Sequence, residues 1–213
     1  MVTVFLSSTC YDLPDLRSVL FHSLKANGFD TIASDIPSSD FSLAPNLNSV
    51  EICEANVGRS NLVLLILDKR YGPQIPSLDK SATHIECEAA LRRGIPVHTF
   101  VRKSFLHDHR VWQRMTKAGV TAAGVASALT HVDCTIRNGT YEFESLFRLF
   151  DSVRRTTEPG KPNWCDPFET AHDLSWLAPR RARELLHADI GPLHIAEKYT
   201  GLVAEPALVD CTR

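Results

Sequence analysis

The sequence predicts a three-layer α/β domain with a parallel sheet of about five strands, and three observations carry that expectation. Asn61 to Leu67 is a continuous apolar run, as expected of a strand covered on both faces. Between Val2 and Val101, short β-branched and aromatic runs alternate with stretches of helical spacing, a rhythm that imposes parallel pairing through right-handed crossovers. The 213-residue chain, 44 % hydrophobic and 23 % charged, is long enough for one sizeable core with a small appendage.

The elements follow in order. Val2 to Leu6 reads as the first strand, closed by the polar turn Ser7-Ser8-Thr9. A helix follows from about Asp12, its plausible N-cap, with Leu13, Leu16, Leu20 and Leu24 at helical spacing and Asn27-Gly28 as its stop. Phe29 to Ala33 is the second strand, and Val50, Cys53 and Val57 line a helix from about Ser49. After the Asn61–Leu67 strand, Pro73 and Pro76 keep Tyr71 to Lys80 irregular. The helix holding Glu86 stops at Gly94, and Ile95 to Val101 is the fourth strand. A longer helical region from Val111 to about Leu129 precedes a fifth strand expected near Val132 to Ile136. Phe143, Leu146, Phe147, Phe150 and Val153 form an amphipathic helix. Beyond Thr156 a breaker cluster, Glu158-Pro159-Gly160-Lys161-Pro162, sets off an expected extension, residues 157–213, from a domain of residues 1–156. That extension holds a helix from Pro179 to about Ala188, and Trp164 and Trp176 require burial against the domain or a partner.

A formal net charge of −2 gives no global basic field, so neither direct nucleic-acid binding nor attraction to an anionic membrane is expected. VTVFL is too short for a signal-peptide core, and a cytoplasmic protein is expected. The six cysteines, Cys10, Cys53, Cys87, Cys134, Cys165 and Cys211, include no Cys-x-x-Cys pair and read as thiols. His107-Asp108-His109 lacks further ligands at a recognisable spacing and reads as a solvated loop, so no metal is assigned.

The richest stretch for chemistry is Ser81 to Val101, which puts Glu86 at a helix start just beyond a buried strand. Ligands of open parallel sheets collect beyond the carboxyl ends of the strands, and Asp68, Arg70, Tyr71 and Glu86 converge there. Thr83-x-x-Glu86 also has capping-box spacing, in which Glu86 would reach back to the Thr83 backbone and need no substrate. Glu88 lies roughly 200° around the helix from Glu86, so the two cannot share a cleft. Ser7, Ser8 and Thr9 sit at a strand-to-helix turn able to accept a phosphate, without a glycine-rich fingerprint, and serve equally well as caps. Arg17, one turn into the first helix, either approaches that phosphate or is a solvated surface residue.

VFLSSTCYDLPDLR, Cys53 with Val57, LLILDKRYG, Ser81-x-Thr83-x-x-Glu86 and GIPVHTFV occur in one order. Together, over about residues 1–155, they resemble a domain family with a Ser-Ser-Thr-x-x-Asp-Leu opening that often precedes large STAND-type signalling NTPases. That family is similar in fold to TIR domains and nucleoside 2-deoxyribosyltransferases, so the resemblance implies a flavodoxin-like, TIR-like architecture. Ser60-Asn61 departs from the small residue and aspartate usual before the third strand.

The resemblance implies cleavage of an N-glycosidic bond, with Glu86 as the catalytic carboxylate and no cofactor; NAD⁺ is the candidate substrate. A carboxylate can stabilise an oxocarbenium-like state or attack the anomeric carbon, and nicotinamide leaves as a neutral ring without a strong general acid. Asp68 would then bind ribose hydroxyls, or else serve as a turn residue or partner of Lys69 or Arg70. Tyr71 would stack on a base, or else pack against its loop. The expected role is an NADase-type hydrolase in bacterial immune or stress signalling, acting on a nucleotide, as a homo-oligomer, with a defence-system partner protein. Alternatives are a non-catalytic self-associating signalling module and a deoxyribosyltransferase-like enzyme of nucleosides.

Overall fold

Alternate residues of the third strand serve different cores. In the computed structural model, which describes residues 2–75, 77–154 and 165–188, all six residues of β3 (Leu62–Leu67) are buried. Leu62, Leu64 and Ile66 join one apolar cluster, whereas Val63, Leu65 and Leu67 join the other. Period-two alternation with both faces covered accounts for the uninterrupted apolar run. Flanking it are β1 (Thr3–Ser7) and β6 (Val97–Arg102), with β2 (Asp30–Ile32) and β9 (Cys165–Phe168) at the edges. All pairings in this sheet are parallel, and the strand order is β2-β1-β3-β6-β9.

Seven helices among the described residues flank the sheet. On one face α1 (Pro14–Ala26) packs against α7 (Ala171–Ala188), bringing Leu16, Leu20 and Leu24 together with Leu174, Ala178 and Ala182. The other face is covered by α2 (Ser49–Gly58), α3 (Ala82–Arg92), α4 (Lys103–Lys117), α5 (Ala122–Ala126) and α6 (Glu142–Arg154). Two-residue strands form hairpins at β4 (Gln74–Ile75) with β5 (Lys80–Ser81), and at β7 (Ile136–Arg137) with β8 (Thr140–Tyr141). A short antiparallel pair thus stands within the Tyr71–Lys80 stretch expected to be irregular.

The fifth strand of the sheet is β9, not the Val132–Ile136 segment. The Asp108 carboxylate holds that segment away from the sheet: it accepts the backbone N–H groups of Thr130, His131 and Val132 at 2.7–3.2 Å. His107-Asp108-His109 is accordingly not a solvated loop but part of α4, where Asp108 and His109 are buried and His109 meets Asp151 at 3.0 Å. The sheet continues past the boundary expected at residue 156, because residues 165–188 supply both its last strand and the helix that covers α1.

α7 also begins eight residues before Pro179, where Thr170 Oγ1 accepts the Asp173 N–H. Proline has no N–H to bond the carbonyl four residues back. That carbonyl, of Ser175, accepts instead from the Ser23 hydroxyl on α1, so the helix runs through its proline by bonding to its neighbour. Trp176 remains 46 % exposed, contrary to the burial expected of it, and Trp164 and Cys211 lie outside the described residues. Cys10, Cys53, Cys87 and Cys134 are free thiols. Among the described residues, no helix is long and apolar enough to cross a membrane.

Candidate functional site

The chain leaves β1 toward β2 on one side and reaches β3 on the other, so the carboxyl ends of β1 and β3 form the crevice where doubly wound sheets hold ligands. Ser7 closes β1 there, and its hydroxyl donates to Glu86 Oε2 at 2.7 Å. Glu86 lies in the second turn of α3 and is 5 % exposed. Its helix is capped by Ser81, whose hydroxyl accepts the His84 N–H at 3.3 Å. The capping-box alternative is therefore overturned: Glu86 bonds across to β1 rather than back to Thr83.

Burial pushes the Glu86 carboxyl up to about 7, against the hydrogen bond from Ser7, the charge of Arg17 and a thiol contact from Cys53. Near neutral pH this carboxyl can therefore hold or release a proton. Burial and Glu86 in turn push the Cys53 thiol up to about 12, and burial raises Cys10, so neither is a ready thiolate nucleophile. Glu88, on the other side of α3, bonds Lys80 at 2.8 and 2.9 Å. Glu86 and Glu88 thus face different sides of α3, one toward β1 and the other toward Lys80.

Arg17 is not a surface residue. It is 1 % exposed, and its guanidinium donates to Asp35 at 2.6 and 2.8 Å and to Ser8 Oγ at 2.8 Å. The Ser8 hydroxyl donates to the Thr9 carbonyl at 3.1 Å. Ser7 and Ser8 thus spend their hydroxyls inside the protein, and α1 starts only at Pro14, with no side-chain cap from Asp12. Thr9 packs toward Gly72, whose φ of +89° suits glycine and leaves a notional Cβ only 3.1 Å from the threonine methyl.

Asp68 and Tyr71 are likewise engaged. Asp68 accepts from Arg102 Nε at 2.7 Å and His131 Nε2 at 2.5 Å, not from Lys69 or Arg70. Burial raises its carboxyl, but these two partners outweigh that and hold it below the usual range. Tyr71 is 3 % exposed, with its hydroxyl 2.7 Å from His84 Nδ1, so its ring packs in the core in this structure. Sequence reasoning missed Asp35 and Cys53. A carboxylate directly after a parallel strand was a usable signal for Asp35; only the packing of α2 on α3 brings Cys53 near Glu86.

On the same rim a cleft of about 470 Å³ is lined by Asp12, Lys69, Arg70, His131 and Asp133. Residues 3–175 match the family described as a domain of unknown function, DUF4062. The chain belongs to that family. No curated protein matches it. Among solved structures it is similar to a conserved protein from Enterococcus faecalis V583, at 17 % identity and a TM-score of 0.40, covering 85 % of this chain and 99 % of that one. Measured against the family match, both Glu86 and the rim cleft fall within the shared region.

Proposed function

We propose that this domain is a TIR-like nucleotide N-glycosidase that hydrolyses the bond between base and ribose in NAD⁺ or a related nucleotide, as part of bacterial immune or stress signalling. The observation that carries the reading is Glu86, a buried carboxyl bonded to Ser7 at the switch-point crevice and poised near neutral pH by burial against Arg17. As the C–N bond breaks, its electron pair leaves with the neutral nicotinamide and positive charge builds on the ribose. Ionised Glu86 stabilises that charge, and water then adds its oxygen to the anomeric carbon while Glu86 takes its proton. A carboxyl near 7 suits both tasks better than one fixed in either state.

Glu86→Gln tests this, read as nicotinamide released from NAD⁺. The variant should remain folded and lose activity on the order of a hundredfold or more, while Glu88→Gln, which alters the pairs with Lys80 and His84 on the other side of α3, should be near neutral. Full activity in Glu86→Gln would overturn the assignment.

A second reading, a non-catalytic module that self-associates, is favoured by a specific observation: the hydroxyls and charges around Glu86 are already satisfied by one another. The exposed Trp176 is its candidate contact. A dilution series separates the cases. Nicotinamide release whose specific activity falls on dilution, in step with dissociation by light scattering, marks an enzyme completed by assembly. Assembly without release marks the module.

A further inference from the structure

The rim cleft holds polar groups that the protein itself leaves unmatched. Both carboxylate oxygens of Asp12 are shielded from solvent and accept no hydrogen bond. Arg70 Nε is shielded and unbonded as well, with Asp133 at 3.6 Å, beyond hydrogen-bond reach. Asp133 accepts the Thr135 N–H at 2.9 Å and its hydroxyl at 2.5 Å through Oδ1, and its Oδ2 makes only the long pair with Arg70. The Lys69 ammonium has no ion-pair partner among the described residues. His131 is held through Nε2 by Asp68, which leaves Nδ1 as its ring atom for a ligand.

These groups specify a complement. A shielded carboxylate requires a ligand that donates, and a vicinal diol presents two hydroxyls to two oxygens. Lys69 and Arg70 require an anionic acceptor. Inorganic phosphate would place like charge against Asp12, and an unphosphorylated sugar would leave Lys69 unmatched and Arg70 with only its long pair to Asp133. A ribose phosphate meets both demands, and about 470 Å³ is the size of a small-molecule site. Tyr11, next to Asp12 and 86 % exposed, offers an aromatic face on the same loop for an attached base.

We propose that this cleft binds the non-reacting ribose phosphate of a dinucleotide, with its diol on Asp12 and its phosphate on Lys69 and Arg70 beside His131. The loop from Ser7, bonded to Glu86, to Asp12 spans five residue steps, at most about 18 Å of chain, so one dinucleotide can engage both ends. The inference deepens the glycosidase reading and rests on it for the identity of the reacting half. It excludes a plain nucleoside as the preferred substrate.

Titration calorimetry of the full chain with AMP, adenosine and inorganic phosphate at low ionic strength tests the site, with melting temperatures as a check on folding. AMP should bind about tenfold or more tightly than either fragment. Lys69→Gln, which removes no internal partner, and Arg70→Gln should each weaken AMP by about tenfold. Asp12→Asn should weaken AMP yet leave phosphate unchanged or tighter, because a negative charge is gone. With NAD⁺ as substrate, Lys69→Gln should raise KM and leave kcat nearly unchanged. AMP binding no better than adenosine, or unaltered by Lys69→Gln and Arg70→Gln, overturns the cleft assignment even if NAD⁺ is cleaved. AMP binding as described, with no nicotinamide released by the native chain, supports the cleft and sinks the glycosidase reading instead.

Discussion

At the residue scale, one glutamate sets a pH dependence with a definite sign. Burial raises the folded Glu86 carboxyl from its ordinary 4.5 to about 7, so between those values the unfolded chain has released a proton that the folded protein retains. A raised pKa contributes stability that is fully present below about pH 4.5 and is lost as pH rises through 7. The loss amounts to about 3 kcal/mol at most, and other groups titrate on top of it. Glu86→Gln removes the ionisation while keeping a group that can accept from Ser7. Urea melts of native and variant protein between pH 4.5 and 8 should therefore diverge, with the variant gaining relative stability toward pH 8. Parallel curves would show that Glu86 ionises freely. The same group would give a glycosidase activity that rises with pH through about 7, so the activity-bearing state is the less stable one.

At the element scale, a single carboxylate decides what is strand and what is loop. Asp108, inside α4, gathers three successive backbone N–H groups of residues 130–132, donors that a strand would have spent on its neighbours. Asp108→Ala should leave those donors unpaired, that of Val132 in a buried setting and the other two partly exposed, and destabilise the protein by about 1–3 kcal/mol. Because His131 is one of the three, its bond to Asp68 should loosen as well. Amide hydrogen exchange checks this: protection should fall at residues 130–132 before it falls in β3. Unchanged protection there would show that packing of Val132 into the core, rather than Asp108, holds the segment. The Pro179 turn of α7 makes the complementary point, since the carbonyl that proline orphans is satisfied only by Ser23 of another helix.

At the scale of the whole molecule, the sheet closes with residues far beyond the expected boundary. β9 pairs with β6, and α7 covers the apolar face of α1; Asp166 on β9 ties the layers together through His98 at 2.9 Å and Arg181 at 2.5 Å. Burial favours protonation of Asp166, but these two partners hold its carboxyl down to about 2. A chain ended after Thr156 would expose the β6 edge together with the Leu16, Leu20 and Leu24 stripe of α1. It should aggregate or melt without cooperativity, as read by size-exclusion chromatography and thermal denaturation. A soluble monomer melting like the full chain would show that residues 1–156 are self-sufficient.

How much of this was legible in the sequence follows from the range of the forces involved. The β1, β2, β3 and β6 strands, the α1 stop at Asn27-Gly28 and the placing of Glu86 at the sheet's carboxyl rim are written in hydrophobic period and local backbone preference, which act over a few residues. The separation of Glu86 from Glu88 follows from helix geometry alone. Partner choice is different, because it depends on which distant groups the fold brings within about 3 Å. Sequence spacing allowed Glu86 to cap its own helix, Arg17 to face solvent and Asp68 to hold a ribose; tertiary packing instead paired them with Ser7, with Asp35, and with Arg102 and His131. Likewise the sequence places the fifth strand at 132–136, whereas residues 165–168, with Asp166 and Pro167, carry little strand signal of their own. The bonds from Asp108 to the first segment and the pairing of β9 with β6 are long-range and decided the edge. Asp12 shows the same division: the chain marks it as a carboxylate at a helix start, but only the folded rim, with Lys69 and Arg70 beside it and no donor of its own, makes it a candidate for binding.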